Sequence, residues 1–358
     1  MPHADALLCH CRAGFEPELA AELTERASEA GFAGYARTER GSALVEFFAD
    51  GASALSAALP LRALIFARQK LIRFAELQAL DPRDRIAPIL AALDGAAGCP
   101  SRFGTLWVEH ADSDAGKPLA GLARAFANAL RPALRESGRL APQDDAALPR
   151  LHVVFRSGEH ALLAWSDPHD SAPWPLGVPR LRLHPDAPSR SALKLEEAFL
   201  TLLDDRERER LLRPGMRAAD LGAAPGGWTW VLLRHGLRVY AIDNGPLRAH
   251  LFDLGHVEHL RADGFTWRPP QALDWMVCDM VEQPRRVADR MATWLREGWC
   301  RRSVFNLKLP MKKRWAETRL CLDRLREQVH APLTLRARQL YHDREEITVF
   351  ATAGEPTS

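Results

Sequence analysis

The chain has 358 residues, of which 47% are hydrophobic and 26% charged, with a formal net charge of +2. This length and composition predict a globular protein of two or three domains. No apolar run reaches the length that spans a bilayer, so a membrane protein is not expected. The small net charge neither requires nor excludes a nucleic-acid partner.

The cysteines form no C-x-x-C pair, so neither a zinc site nor any other metal site is predicted. The N-terminus also lacks the basic-then-apolar pattern of a secretion signal, which favours a cytoplasmic protein without disulfides. The six cysteines are Cys9, Cys11, Cys99, Cys278, Cys300 and Cys321.

Residues 1–171 mix strand-like and helix-like segments without strict alternation, which predicts an α+β domain. Apolar runs predict strands over residues 6–9, 42–48 and 105–109, one or two strands within 63–77, and a hairpin of 151–155 and 161–165. Helical periodicity predicts helices over residues 16–30, 52–59, 83–93 and 119–135.

Residues 172–188 are rich in proline and lack apolar periodicity, so they are interpreted as a linker. From residue 189 to 358 strands and helices alternate, which predicts an α/β domain with a doubly wound, Rossmann-like sheet. Its expected strands cover residues 216–221, 238–242, 273–278, 303–308, 333–340 and 347–352. The last two are joined by a short polar link and are expected to form an antiparallel edge hairpin.

A glycine-rich turn, D-L-G-A-A-P-G-G-W-T, covers residues 220–229 between a predicted strand and a predicted helix. Such a turn presents backbone N–H groups to a ligand. A dinucleotide fingerprint would need glycine at position 224, which is alanine, so a nicotinamide cofactor is disfavoured. A ligand-free turn is the alternative. The expected cofactor contacts in it are Gly222, Ala224, Pro225, Gly226 and Gly227.

Three aspartates follow predicted strands on the edge where open α/β sheets bind ligands. Asp243 lies 21 residues after Gly222 (243 − 222), an offset at which a carboxylate reaches ribose hydroxyls. Asp263 and Asp279 follow later strand-like segments, and each aspartate has a turn or helix cap as its alternative role. Ser191 is a further expected cofactor contact, and it or Ser189 could cap the helix that begins near residue 193.

Lys308 closes an apolar strand, where an ammonium group needs a partner, and Asp279 on a neighbouring strand is the expected one. Lys194 lies at the start of a helix, and Glu345 and Glu346 open the final strand. Taken singly, each has an ordinary alternative: a snorkelling or solvated lysine, a strand-end cap, or a charge that protects a sheet edge.

The turn at residues 220–229 resembles motif I of the S-adenosylmethionine (SAM) methyltransferases that act on RNA ribose. The charged residues resemble the Lys-Asp-Lys-Glu tetrad of the ribose 2′-O-methyltransferases. Glu346 fits better than Glu345, because Glu-Ile-Thr-Val-Phe-Ala-Thr matches the family's Glu-x-x-x-x-Ala-Thr. The resemblance implies SAM as cofactor and Lys194, Asp279, Lys308 and Glu346 as catalytic residues.

An amine acts as a base only when its pKa falls toward neutrality. Burial and the nearby Lys194 would lower the pKa of Lys308, whereas Asp279 would raise it, so the sequence leaves the net shift open. With Lys308 as general base, the implied reaction is 2′-O-methylation of a ribose. The alternatives are an RNA-binding protein with a non-catalytic SAM site and a NAD-type oxidoreductase.

The segment Cys11–Glu16 and the Ala/Glu-rich helix after it resemble one proteobacterial branch of the family, which methylates a cytidine of 23S rRNA. That branch carries an N-terminal THUMP-containing region. The resemblance implies RNA binding by residues 1–171, and 23S rRNA or a large-subunit assembly intermediate as the partner. Oligomeric state is not predicted.

Two basic segments are candidate RNA contacts, with a solvated loop or helix face as the alternative. One is Lys312-Lys313-Arg314-Trp315, directly after the strand that ends at Lys308. The other comprises Arg62, Arg68, Lys70 and Arg73.

Overall fold

The structure is a computed structural model and describes residues 6–354. The chain divides into two compact units, Met1–Pro179 and Arg180–Ser358. The division falls inside the proline-rich segment 172–188. No helix among the described residues is both long and apolar enough to cross a membrane.

The first unit is built on a seven-stranded sheet, in which only β5 and β6 pair in parallel. The sheet order is β2-β3-β1-β4-β7-β6-β5. Its strands are β1 Ala6–His10, β2 Gly34–Thr38, β3 Leu44–Ala49, β4 Gln69–Leu77, β5 Thr105–His110, β6 Arg150–Ser157 and β7 His160–Ser166. Its helices are α1 Glu16–Glu29, α2 Ala52–Ala58, α3 Ile86–Gly95 and α4 Ala120–Glu136.

The expected α+β architecture is confirmed, but one strand was missed. The sequence Gly34–Thr38 of β2 has no apolar alternation because the strand lies at the edge of the sheet and is mostly exposed. A Cβ atom on Gly34 would lie 2.4 Å from the carbonyl oxygen of Phe48, so the strand needs glycine for its close approach to β3. The segment 63–77 holds a single strand, β4.

The basic residues of the segment 62–73 serve mainly as internal ion-pair partners. Arg68, Lys70 and Arg73 are buried and pair with Asp112, Asp170 and Glu46 respectively. Only Arg62 is exposed. Buried, paired cations cannot reach a phosphate backbone, so this set does not form the RNA-contacting face that its spacing allowed.

The second unit has a seven-stranded sheet of order β10-β9-β8-β11-β12-β14-β13. Its strands are β8 Arg217–Leu221, β9 Arg238–Ile242, β10 Val257–Leu260, β11 Leu273–Cys278, β12 Cys300–Lys308, β13 Leu333–Arg338 and β14 Glu346–Ala353. Its helices are α5 Ala192–Leu202, α6 Asp205–Leu211, α7 Gly227–Arg234, α8 Leu251–Leu254, α9 Pro284–Arg296 and α10 Arg314–Gln328.

Five of these strands run parallel, which confirms the predicted Rossmann-like sheet. The carboxyl ends of β8, β9, β11 and β12 therefore meet at one edge: Leu221 pairs with Ile242 and with Cys278, and Cys278 pairs with Phe305. Gly222, Asp243 and Asp279 directly follow β8, β9 and β11, Lys308 is the last residue of β12, and Asp263 lies shortly after β10.

The last two strands form the predicted antiparallel pair, but only β13 lies at the sheet edge. Strand β14 is inserted between β12 and β13 and runs antiparallel to both. This register places Glu346, the first residue of β14, directly opposite Lys308, the last residue of β12.

Helix α6 was not predicted because its sequence, D-R-E-R-E-R-L, is almost wholly charged and shows no apolar stripe. A capping box holds its first turn: Asp204 accepts from the backbone N–H of Glu207 at 2.8 Å, and Glu207 accepts from that of Asp204 at 3.0 Å. The spacing Asp-x-x-Glu was the one local feature that could have revealed this helix.

Asp220, the fourth residue of β8, joins this strand to α7. Its carboxylate accepts a hydrogen bond from the Thr229 hydroxyl at 2.6 Å, and the side chain is buried. Burial raises the pKa of Asp220 from 3.8 to about 7, helped by the nearby charges of Asp279 and Asp243 and opposed by the bonds from Thr229.

This raised pKa predicts an unusual pH dependence of stability. The folded protein keeps a proton that the unfolded chain releases above pH ~4, so the Asp220 contribution to the unfolding free energy falls as pH rises toward ~7. We expect Asp220→Asn to remove this loss. Its unfolding free energy relative to the native sequence should therefore increase between pH 5 and 7, by at most about 1.4 kcal/mol per pH unit.

Chemical unfolding of both proteins at several pH values, without cofactor, measures this difference. A difference that stays constant from pH 5 to 8 would contradict the raised pKa.

Candidate active site

The glycine-rich turn connects β8 to α7 and packs closely against its neighbours. Gly222 and Gly226 adopt φ angles of 78° and 111°, which side-chain-bearing residues rarely adopt. A Cβ atom on Gly226 would lie 2.2 Å from Leu251 Cδ1, and one on Gly227 would lie 2.2 Å from Ser191 Oγ. Only glycine therefore permits this path of the backbone.

Ser191 lies at the start of α5 and against the turn. The expectation that Ser189 or Ser191 caps this helix is wrong: Ser191 is the N-cap residue, but no side-chain cap bond forms. The two hydroxyls instead bond to each other at 2.6 Å, and the Ser191 carbonyl accepts from Trp228 Nε1 at 2.9 Å. These contacts hold the first turn of α5 beside the glycine-rich turn.

Asp243 follows β9 and faces the same turn. Its Oδ2 accepts from the Ala224 backbone N–H at 2.9 Å, and its Oδ1 accepts from that of Gly245 at 2.7 Å. A carboxylate offers about four lone-pair positions, so two bonds leave capacity for hydroxyl donors. The geometry suits ribose recognition, and it also orders the turn.

Asp263 is exposed, and its Oδ1 accepts from the Phe265 backbone N–H at 2.9 Å. This is the turn-forming role that was its alternative. The turn still adjoins the site, because a Cβ atom on Gly264 would lie 3.1 Å from the sulfur of Met280, the residue after Asp279.

Three carboxyl groups lie near the turn and influence one another. Asp279 and Asp243 both raise the pKa of Asp220, so the three carboxyl groups interact electrostatically. A Cβ atom on Gly222 would lie 2.5 Å from Met280 Cγ, which places the turn against the residue that follows Asp279. Close backbone, carboxylates and spare hydrogen-bond acceptors together fit a sulfonium-bearing nucleoside such as SAM.

Four charged side chains close a ring at the ends of α5, β11, β12 and β14. Lys194 Nζ lies 3.2 Å from Asp279 Oδ2 and 2.5 Å from Glu346 Oε1. Lys308 Nζ lies 2.8 Å from Asp279 Oδ1, and it also pairs with Glu346. The structure thus brings together all four sequence-predicted catalytic residues, with positive and negative groups alternating.

The ring is largely shielded from solvent. The Glu346 side chain is 5% exposed, those of Lys194 and Asp279 are each 16% exposed, and that of Lys308 is 22% exposed. Shielding strengthens each ion pair, and it leaves Lys308 the most accessible of the four.

The pKa of Lys308 is raised above its usual value of 10.5. Burial acts to lower this pKa, but the charges of Asp279 and Glu346 and their hydrogen bonds outweigh burial. The pKa of Asp279 is lowered: burial would raise it, but Lys194 and Lys308 outweigh that effect. The sequence left the net shift of the Lys308 pKa open. In the structure the carboxylates, which raise this pKa, outweigh burial, which lowers it.

A second layer of polar residues supports the ring and was missed by the sequence analysis. Asn306 Nδ2 donates to Asp279 Oδ1 at 2.7 Å, and the Thr348 hydroxyl lies 2.7 Å from Asn306 Oδ1. Asp343 lies behind Thr348, with its carboxyl oxygens 3.1 and 3.2 Å from the hydroxyl. All three residues are buried.

Glu197 fixes the loop before β14 and was also missed. One turn after Lys194 on α5, its buried carboxylate accepts from the backbone N–H groups of Tyr341 and His342 at 2.7 and 2.9 Å. It also contacts His342 Nδ1 at 2.7 Å. The spacing Lys194-x-x-Glu197 indicates that Glu197 lies near Lys194 on the helix. Its partners in the loop could not be predicted, because they are more than 140 residues away along the chain.

A depression of about 340 Å³ opens beside Lys308. Its walls come from the start of α9, the end of β12 with the loop that follows, and α10; they include Gln283, Arg285, Pro310 and Glu317. Of the basic loop that follows, Lys312 and Lys313 are exposed, whereas Arg314 pairs with Glu345. The structure thus places Glu345 outside the ring and Glu346 within it.

Within residues 6–354, no group of three or more His, Cys, Asp or Glu side chains is arranged to hold a metal ion.

Sequence comparison divides the chain into three matched regions. Residues 4–71 match the RlmM ferredoxin-like domain, and residues 84–167 match the N-terminal region of ribosomal RNA large subunit methyltransferase M. Residues 187–305 match the FtsJ-like methyltransferase family.

Full-length relatives agree with these matches. A protein named ribosomal RNA large subunit methyltransferase M from Xanthomonas campestris pv. campestris (strain B100) is 69% identical over 97% of this chain and 99% of its own length. One of the same name from Stenotrophomonas maltophilia (strain R551-3) is 69% identical over 97% of this chain and 96% of its own length. The chain therefore belongs to the ribosomal RNA large subunit methyltransferase M family, and it is a SAM-dependent methyltransferase.

Proposed function

We propose that this enzyme methylates the 2′ hydroxyl of one ribose, that of a cytidine in 23S rRNA, with Lys308 as general base. The observation that carries the proposal is the closed ring of Lys194, Asp279, Lys308 and Glu346 beside the glycine-rich turn. The names of the relatives support ribosomal RNA of the large subunit as the substrate class.

When bound, SAM supplies a methyl group activated by a sulfonium charge. Gly222, Ala224, Pro225, Gly226 and Gly227 would shape its cradle, with Ser191 behind it. Asp243 would hold its ribose hydroxyls, and Asp263 and Asp279 would lie nearby. The protein's main tasks are then to align the acceptor oxygen and to remove its proton.

The ring allows one of its two amines to become neutral. Lys308 is the more exposed amine and adjoins the depression through which a ribose could enter. If Lys308 loses its proton, Asp279 and Glu346 both keep their contact with the Lys194 ammonium group. Neither carboxylate is then left without a cation, which makes the neutral state of Lys308 accessible despite its raised pKa.

The surface beside the depression suits RNA. Arg285, which is half-exposed and pairs with Glu317, lines it, and Lys312 and Lys313 lie on the adjoining loop. These cations can contact phosphates on either side of the target nucleotide. In our proposal the N-terminal unit binds rRNA, which is the role expected of a THUMP-containing region. The rRNA is either free or part of a large-subunit assembly intermediate, and the reaction takes place in the cytoplasm.

The direct test is to map 2′-O-methylation of large-subunit rRNA by mass spectrometry, with and without this enzyme. We expect Lys308→Met to abolish the modification, with a loss of at least about 100-fold in rate, because a general base contributes about 10²–10⁴-fold. SAM affinity should change less than about threefold, since Lys308 is not expected to bind the cofactor. Lys117→Met, at an exposed lysine of the first unit, is the matched control.

Full activity of Lys308→Met would exclude Lys308 as the base. A rRNA modification pattern that is identical with and without the enzyme would refute the proposed substrate.

The raised pKa of Lys308 predicts a rate that increases with pH. Only the neutral amine accepts a proton, and its fraction grows about tenfold per pH unit below the pKa. We therefore expect single-turnover methylation rates to rise from pH 6.5 to 9 with a logarithmic slope near one. A flat profile over that range would show that proton removal by Lys308 does not limit the reaction.

The proposed cofactor site predicts that Asp243→Asn weakens SAM binding by about tenfold or more, since it replaces a charged hydroxyl acceptor by a neutral one. Isothermal titration calorimetry measures this change. Asp323→Asn, at a partly exposed aspartate of α10, is the control. Unchanged SAM affinity of Asp243→Asn would assign Asp243 solely to ordering the turn.

A further inference from the structure

We propose that Asn306, Thr348 and Asp343 form a buried hydrogen-bonded chain that positions Asp279 for catalysis. The inference rests on the proposed function, because it assigns these residues to the support of the Lys308 base. They are positioning residues, since Asn306 contacts Asp279 directly and Thr348 and Asp343 reach it only through Asn306.

Strand register explains how the chain of bonds is built. Lys308 lies opposite Glu346, and the preceding same-face pair across β12 and β14 is Asn306 opposite Thr348. Lys308 and Glu346 are members of the ring, and Asn306 and Thr348 form the adjacent pair on the same face of the two strands. Asp343, in the loop that leads into β14, contacts the Thr348 hydroxyl.

The available hydrogens fix the direction of these bonds. Asn306 donates its amide hydrogen to Asp279 Oδ1 at 2.7 Å, so its Oδ1 is the atom that accepts from Thr348 at 2.7 Å. Thr348 has one hydroxyl hydrogen, and this bond uses it. One of the two contacts between Thr348 and the Asp343 carboxyl oxygens, at 3.1 and 3.2 Å, is then a hydrogen bond in which a protonated Asp343 donates to the Thr348 hydroxyl.

The surroundings of Asp343 favour that protonated form. Asp343 is 1% exposed, and burial raises its pKa well above 3.8, reinforced by the charges of Glu346 and Glu197. The backbone N–H of Leu340, at 2.9 Å, and the charge of Lys194 oppose this shift without cancelling it. Because the Thr348 hydrogen is used toward Asn306, the bond geometry assigns a neutral carboxyl group to the start of the hydrogen-bonded series and the Asp279 carboxylate to its end.

The hydrogen-bonded series ends on the same Asp279 oxygen that contacts Lys308. Asp279 Oδ1 accepts from both Asn306 and Lys308, at 2.7 and 2.8 Å. The Asn306 bond fixes the rotation of the carboxylate, and it shares negative charge that would otherwise hold the Lys308 proton. Loss of this bond should misplace Lys308 and raise its pKa further.

The test compares Thr348→Val, Thr348→Ser and the control Thr352→Val in methylation kinetics. Thr352 lies four residues after Thr348 on β14 and is also buried. Within the described residues, its hydroxyl donates to the Arg301 carbonyl and does not contact the ring. We expect Thr348→Val to lower kcat about tenfold, since small misplacements of reacting groups can cost about 100-fold. KM for SAM should stay within twofold, and the pH–rate profile should move to higher pH.

Thr348→Ser keeps the hydroxyl and should restore both kcat and the pH profile, and Thr352→Val should resemble the native enzyme. In an Asp279→Asn background, Thr348→Val should have no further effect on kcat, because the group it positions is already altered. Asp343→Asn should retain kcat within about twofold, because an amide can donate where the neutral carboxyl group did.

An active native enzyme whose Thr348→Val variant keeps both kcat and pH profile would overturn the inference while leaving the proposed function intact. A loss of more than tenfold in Asp343→Asn would also overturn it, because the chain would then need a charged Asp343. If Thr348→Val does not fold, Asn306→Ser, which shortens the donor to Asp279, must show the same fall in kcat and the same shift in pH profile. Failure of the native enzyme to methylate rRNA would instead refute the proposed function.

Discussion

The proposed active site depends on a closed ring of alternating charges in which each carboxylate contacts both ammonium groups. Two lysines or two acids at this burial would repel each other strongly, and an incomplete set would leave an unpaired charge at considerable cost. Four groups in alternation remove that cost. The arrangement also explains why Lys308, the base in our proposal, is protonated at rest: the carboxylates that make the ring stable are the ones that raise the pKa of Lys308. In our proposal, the ion pairs that stabilise the resting site therefore oppose deprotonation of Lys308, and Lys194 offsets this because it contacts both carboxylates.

The sheet brings cofactor cradle and ring together at one edge. Parallel strands β8, β9, β11 and β12 all end there, so the glycine-rich turn, Asp243, Asp279 and Lys308 converge without any long loop. Met280 is the physical link, because it lies against Gly222 on one side and follows Asp279 on the other. Antiparallel β14 is the exception to the parallel pattern. It brings its first residue, Glu346, to the edge where its neighbours bring their last.

Much of this site could be predicted because strand ends are visible in sequence. Apolar runs that stop at Asp279 or Lys308 locate these residues on the sheet edge, and the resemblance to a known tetrad joined them to Lys194 and Glu346. The supporting layer could not be found in the same way. Asn306 and Thr348 are single polar residues within apolar strands, and they meet only through a register between strands about 40 residues apart. The buried ion pairs of Arg68, Lys70 and Arg73 could not be predicted from the sequence either, because their acidic partners are distant along the chain.

The position of Glu346 in the chain has a consequence for biosynthesis. Lys194 and Glu346 are separated by 152 positions (346 − 194), and the last acid is supplied by the final strand of the described sheet. A nascent chain that has formed the cofactor cradle still has two lysines facing a single aspartate. Its uncompensated ammonium group disfavours a settled catalytic centre until β14 has been made and inserted between β12 and β13. A chain that lacks β14 would therefore hold the proposed cofactor cradle without the complete ring of charges.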